Sequence, residues 1–181
     1  PPFSPYPTAL VPLPVPSYPA TYRPLDPPPE CFSTPGPWRL KSRAFAPFRV
    51  RSVGRSLAGG WEGMYAPPLE GSGIARADWA RFLGDITHTA RLAREGISAL
   101  SPKRVLHPHS GFRTLLSGPS AVEGGPYDQA FRRSETEEVA ALVGVWNGSA
   151  FERRKVRVTL LPIADGTGER RARWELFVEA L

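Results

Sequence analysis

The sequence predicts an α+β fold: two amphipathic helices packed on a small antiparallel sheet, with a disordered Pro-rich N-terminal arm. Three observations carry this. Of the 22 prolines in the 181-residue chain, 14 fall in residues 1–37. Two later stretches repeat apolar residues at the spacing of one helix face. The C-terminal stretch alternates apolar and polar residues on either side of a glycine-containing turn, as paired strands do.

In the arm, residues 1–37, each proline removes a backbone donor and pushes its predecessor toward extended geometry. Polyproline II or disorder is the expectation. Three Pro-x-x-Pro spacings, Pro2–Pro5, Pro16–Pro19 and Pro24–Pro27, have the form of ligands for aromatic grooves. Arg23, however, abuts Pro24 instead of standing three residues away as an oriented SH3 ligand requires. A spacer and a recognition motif are both open readings. Cys31, placed in this arm with no rigid base nearby, is expected to be inert.

The net charge is +6, and it is concentrated. Residues 38–57 carry Arg39, Lys41, Arg43, Arg49, Arg51 and Arg55 and no acid. These six cations, interleaved with Trp38, Phe45 and Phe48, are the candidate binding surface. Phe48, Val50 and Ser52 alternate with Arg49, Arg51 and Val53, so residues 49–53 offer a third strand. One reading is an edge strand whose arginines face water and block edge pairing. The others are a surface for an acidic protein or an anionic membrane, or, less favoured, for nucleic acid. Residues 38–60 are therefore set apart from a small domain over 61–181.

Gly59-Gly60 and Pro67-Pro68 are expected to break any element before residue 70. Trp79, Phe82, Leu83, Ile86, Ala90 and Ala93 then mark one helix face. Asp78 suits the first turn, Arg91 and Arg94 the last, and Gly96 the stop. His88 lies off the stripe and is expected in solvent. Residues 97–133 form an irregular insert interrupted by prolines and glycines. His107 and His109 lie within it and lack a third ligand, so no metal site is expected.

Ser134-Glu135-Thr136-Glu137 is a capping box, followed by Val139, Leu142, Val143 and Trp146 at helical spacing. Glu135, Glu137 and Glu138 are read as cap and dipole residues rather than as an acid/base pair. Asn147-Gly148 should end this helix through a left-handed glycine. Asn147-Gly148-Ser149 is also a glycosylation sequon, a triplet that arises often by chance. Val156, Val158 and Leu160 then alternate with Arg157 and Thr159, and Pro162 stops the strand. After the turn at Asp165–Gly168, Ala172, Trp174, Leu176 and Val178 alternate with Arg173, Glu175 and Phe177.

No apolar run reaches the roughly 18–20 residues of a membrane helix. A single cysteine excludes an intramolecular disulfide framework. Gly166-x-Gly168 lies in a hairpin turn, the wrong context for a phosphate loop, and no Gly-x-Ser-x-Gly elbow occurs. With no catalytic constellation, no enzyme activity, cofactor or small-molecule substrate is expected. The expected function is a non-catalytic protein-interaction or accessory module. The alternative is a polyanion-binding module acting through residues 38–57. One cysteine and no secretory sign favour an intracellular setting, cytoplasmic or peripheral to endomembranes. The chain begins at Pro1, which leaves a preceding targeting sequence open.

Tyr65-Ala66-Pro67-Pro68-Leu69, Gly73-Ile74, Trp79-x-x-Phe82-Leu83-x-x-Ile86, Val143-x-x-Trp146-Asn147, Phe151 and Val156-x-Val158-x-Leu160 form one ordered pattern. It resembles a group of uncharacterised filamentous-fungal proteins with Pro-rich flanks. More remotely, it is similar to the golgin-A/Erf-type accessory subunits of DHHC palmitoyltransferases. The second resemblance implies a partner that binds and stabilises a membrane-bound enzyme. That family carries an apolar, cysteine-containing stretch between its helices, whereas residues 97–133 have no cysteine and several charges. The resemblance supplies no catalytic residue.

Overall fold

The computed structural model describes residues 11–12, 22–34, 44–100, 134–163 and 173–181. In chain order the elements are β1 (Val11–Pro12), α1 (Glu30–Ser33), β2 (Phe48–Arg51), β3 (Met64–Tyr65), α2 (Pro67–Gly71), α3 (Arg76–Arg94), α4 (Glu135–Trp146), β4 (Val156–Ile163) and β5 (Arg173–Ala180). Strands β2, β5 and β4 form a three-stranded antiparallel sheet in that order, so the fold is α+β. A two-residue pairing of β1 with β3 forms a second, minimal sheet.

The α3 stripe forms because its apolar residues have somewhere to go. Trp79, Phe82, Ile86 and Ala90 are each wholly buried, as are Val139, Leu142 and Trp146 of α4. The two helices run antiparallel. Arg94, at the end of α3, bonds Glu135 at the start of α4, while Phe82 meets Trp146 edge-on at 5.5 Å between ring centroids. Their shared face closes on the even positions of the hairpin, Val156, Val158, Leu176 and Val178, and on Val50 of β2. Arg49 pairs with Phe177 and Val158 with Val178 in the ladder, so the expected alternation and third strand are present. β2 is a sheet edge, and a bridge from Ser52 to Trp61 covers the far end of its outer side.

Both expected helix signals hold. Ser134 accepts from the Glu137 amide at 3.2 Å, and the Glu137 carboxylate accepts from the Ser134 amide at 2.7 Å. Gly96 adopts φ 74°, and the Ile97 amide returns to the Leu92 carbonyl at 2.8 Å.

Five expectations need correction. Pro162 does not stop its strand: β4 runs on to Ile163, with Pro162 opposite Trp174, because β4 is a sheet edge, where proline is tolerated. Pro67-Pro68 begins a helix rather than breaking one: proline is preformed for the first helical turn, where its missing donor costs nothing. Asn147-Gly148 does not end α4. The chain continues through a π-helical turn, Asn147–Phe151, and a 3-10 turn, Glu152–Arg154, and the left-handed residue is Lys155 at φ 58°. The reason is packing, because the continuation buries Ala150 and Phe151 against the aromatic core. His88 is half-buried, edge-on to Tyr22 at 5.4 Å. Residues 22–34 belong to the folded body: Pro24, Pro29 and Cys31 are buried, and Phe32 meets Trp146 edge-on at 4.9 Å. The turn at Asp165–Gly168, His107, His109 and most of the arm lie outside the described residues.

Candidate functional site

Helices cover one face of the sheet; the odd positions build the other. From β2 come Arg49 and Arg51, from β5 Arg173, Glu175, Phe177 and Glu179, and from β4 Arg157, Thr159, Leu161 and Ile163. In register, Phe177 stands between Arg49 and Thr159, and Glu175 between Arg51 and Leu161. The Arg49 guanidinium bonds Glu175 and lies 5.6 Å from the Phe177 ring centroid. Only 5% of Glu175 is exposed, so it is not the solvent-facing acid that the alternation implies. Its charge is matched by Arg49, which leaves the neighbouring arginines to set the sign of the face. Arg157 pairs with Glu152 at 3.2 Å, an exposed pair that water screens. Among the described residues, Arg51 and Arg173 are exposed and have no ion-pair partner.

The six candidate cations are therefore split. Arg49 and Arg51 lie on this face. Arg55 is exposed in the turn beyond β2, beside Val53 at 55% exposure. Arg39, Lys41 and Arg43 lie outside the described residues. Arg157 and Arg173 join the surface without having been singled out by composition, because both lie outside the acid-free run 38–57. The hairpin alternation was the signal that could have found them.

Three further buried ionisable groups, besides Tyr65 and Glu138, lie elsewhere. Burial pushes the Cys31 thiol up to about 12, and hydrogen bonding to Asp78 adds to the effect while Arg154 opposes it. A thiol held that firmly protonated is a poor nucleophile. Arg154 is 4% exposed and donates to the carbonyls of Ala150 at 3.0 Å, Cys31 at 3.2 Å, Gly73 at 3.2 Å and Thr34 at 3.3 Å. It ties α1 to the end of the π-helical turn. Asp85, fully buried on α3, is the third. Burial raises its carboxyl above the usual range, against the opposing pull of the Tyr22 hydroxyl and Arg81. No group of three or more metal-ligating side chains occurs among the described residues. Nor is any helix among them long and apolar enough to cross a membrane.

Residues 29–154 match the model of DUF4646, a domain of unknown function. The chain belongs to the DUF4646 family. No curated protein and no solved structure matches it. The DUF4646 range begins immediately before α1 and ends at Arg154, the residue that reaches back to Cys31 and Thr34. Its two ends thus meet in space. The range takes in β2, α3 and α4 but stops short of the hairpin, so the sheet face away from the helices combines a DUF4646 strand with two strands beyond it.

Proposed function

We propose that this chain is a non-catalytic interaction module whose sheet face away from the helices receives an acidic protein segment. The observation that carries the reading is the placement of Arg49, Arg51, Arg157 and Arg173 on one sheet face with Phe177, Leu161 and Ile163, Arg49 lying against the Phe177 ring. A sheet face carrying an aromatic ring and several arginines suits a peptide that alternates acidic and apolar side chains, since arginine and aromatic residues dominate binding energy at such contacts. Arg51 and Arg173 supply the charge left unmatched within the sheet. The firmly protonated Cys31 thiol argues against thiol catalysis.

Polyanion binding is the second reading, favoured by the continuity of β2 with the acid-free run that holds Arg39, Lys41 and Arg43. The resemblance to palmitoyltransferase accessory subunits adds a narrower proposal, in which the acidic segment belongs to a membrane-bound enzyme and the chain acts in the cytoplasm or at endomembranes. Its support is sequence similarity alone.

The test titrates the chain against a labelled acidic peptide, single-stranded RNA and phosphatidylserine vesicles at low and high salt. The Arg51→Glu, Arg173→Glu double variant serves as the comparison. Peptide binding that weakens by about tenfold or more in the variant supports the first reading. RNA or vesicle binding that falls steeply with salt supports the second. Absence of all three kinds of binding, or indifference to the substitutions, removes both.

A further inference from the structure

The Pro24–Pro27 spacing has found a partner on its own chain. Arg81, Asp85 and His88 stand at i, i+4 and i+7 on α3, and all three converge on Tyr22. The Tyr22 hydroxyl donates to Asp85 Oδ1. The Arg81 guanidinium lies 5.0 Å from the Tyr22 ring centroid, donates to Asp85 Oδ1 at 3.1 Å and donates to the Pro27 carbonyl at 3.0 Å. His88 meets the ring edge-on at 5.4 Å. Between these contacts the segment makes a turn closed by the Asp26 amide on the Arg23 carbonyl at 3.2 Å, with Pro24 buried and Leu25 packed against the core. Leu25 sits at φ 62°, a conformation a branched side chain adopts only when its contacts hold it there.

Structural packing alone does not call for this arrangement. A carboxylate wholly out of water is costly, and an apolar residue of similar size would serve a helix interface as well or better. Asp85 Oδ2 is also buried without a hydrogen-bond partner. A carboxyl group retained at such cost, beside a cation and an imidazole aimed at one phenol, is the arrangement of a selective site. The two halves also differ in family membership. The α3 residues lie inside the DUF4646 range, and Tyr22–Pro27 lie before it.

We propose that the Arg81–Asp85–His88 face of α3 is a recognition site for a turn-forming Tyr-x-Pro-Leu segment supplied by a partner protein, and that residues 22–27 fill it in cis as a built-in ligand. Asp85 reads the phenolic hydroxyl, Arg81 the ring and the following backbone, and the packing around Pro24 and Leu25 the apolar flank. Phosphorylated tyrosine is excluded, because a phosphate dianion cannot share the buried position of the Asp85 carboxylate.

The test uses the full chain and a labelled peptide copying residues 22–29. The Tyr22→Ala chain, whose own segment is weakened, should bind the peptide with an affinity that fluorescence anisotropy can measure. The unaltered chain should bind it about tenfold or more weakly, because its tethered segment competes at a roughly millimolar effective concentration. Peptides with phenylalanine or phosphotyrosine in place of tyrosine should bind poorly, and adding Asp85→Ala or Arg81→Ala to Tyr22→Ala should abolish binding. Tyr22→Phe, which keeps the ring and loses only the hydroxyl, serves as the second host should Tyr22→Ala fail to fold. Absence of binding to both Tyr22 variants would overturn the proposal, leaving the contact as internal packing only. Equal binding when Asp85→Ala is added would overturn it too.

Discussion

At the residue scale, two buried protons make stability depend on alkaline pH. Burial raises Cys31 from 9.0 to about 12, and it raises Tyr65 from 10.0 to about 12. The Tyr65 hydroxyl donates to the Ile74 carbonyl at 2.5 Å, a bond only the neutral phenol can make. In both cases the folded state holds its proton over a range where the unfolded chain has released it. The stabilisation is therefore complete below about pH 9 and is lost as pH rises toward about 12. Chemical denaturation at a series of pH values should show the unfolding free energy falling across this window. Cys31→Ala should flatten the fall over its lower part. The thiol should also resist a disulfide reagent at pH 8 until the chain unfolds. Arg154 was invisible to sequence reading for the same reason Cys31 was misplaced: each owes its environment to a contact more than 100 residues away along the chain. Asp85 was passed over because the helix stripe was counted in apolar residues alone, and it stands among them.

At the element scale, the join between α4 and β4 depends on one side chain. Asn147 donates to the Val158 carbonyl at 2.8 Å and accepts from the Val158 amide at 3.0 Å, as a neighbouring strand would. It thereby caps the outer edge of β4 where the sheet would otherwise end. Asn147→Ala should cost about 1–3 kcal/mol, measured by urea denaturation, because it leaves two backbone groups of β4 without partners. Asn147→Asp keeps the acceptor and loses the donor, so it should retain part of the stability. The same geometry argues against use of the sequon, since a glycan on the Asn147 amide nitrogen would break the bond to Val158. Intact-mass measurement of protein from a glycosylating host should therefore show no added sugar at this position. The elements themselves were legible because their signals are local. The capping box lies within four residues, the α3 stripe within one helix, and the strand alternation within eight residues. The end of α4 was not legible, since Gly148 reads as a stop by local rules. Burial of Phe151 in the distant aromatic core overrides that preference.

At the scale of the whole molecule, the chain before β2 divides at Pro29. Residues 22–27 touch one face of α3, while residues 30–34 are built into the core. Cys31 is 4% exposed, Phe32 covers the edge of Trp146, and the carbonyls of Cys31 and Thr34 receive the Arg154 guanidinium. Two truncations should therefore behave differently. Removing residues 1–28 uncovers Asp85 and Arg81 but leaves α1 and the Arg154 network in place. Thermal unfolding should remain cooperative, with the midpoint lowered by a few degrees, roughly the effect of 1 kcal/mol in a domain of this size. Removing residues 1–34 takes away α1 and leaves a buried guanidinium short of acceptors, a loss of the kind that costs about 3–5 kcal/mol. Its cost is a large share of the roughly 5–15 kcal/mol that holds a domain together, so this variant should lose cooperative unfolding or fail to accumulate as soluble protein. Equal melting of the two truncations would mean that α1 is an attachment to the DUF4646 unit and not part of its core.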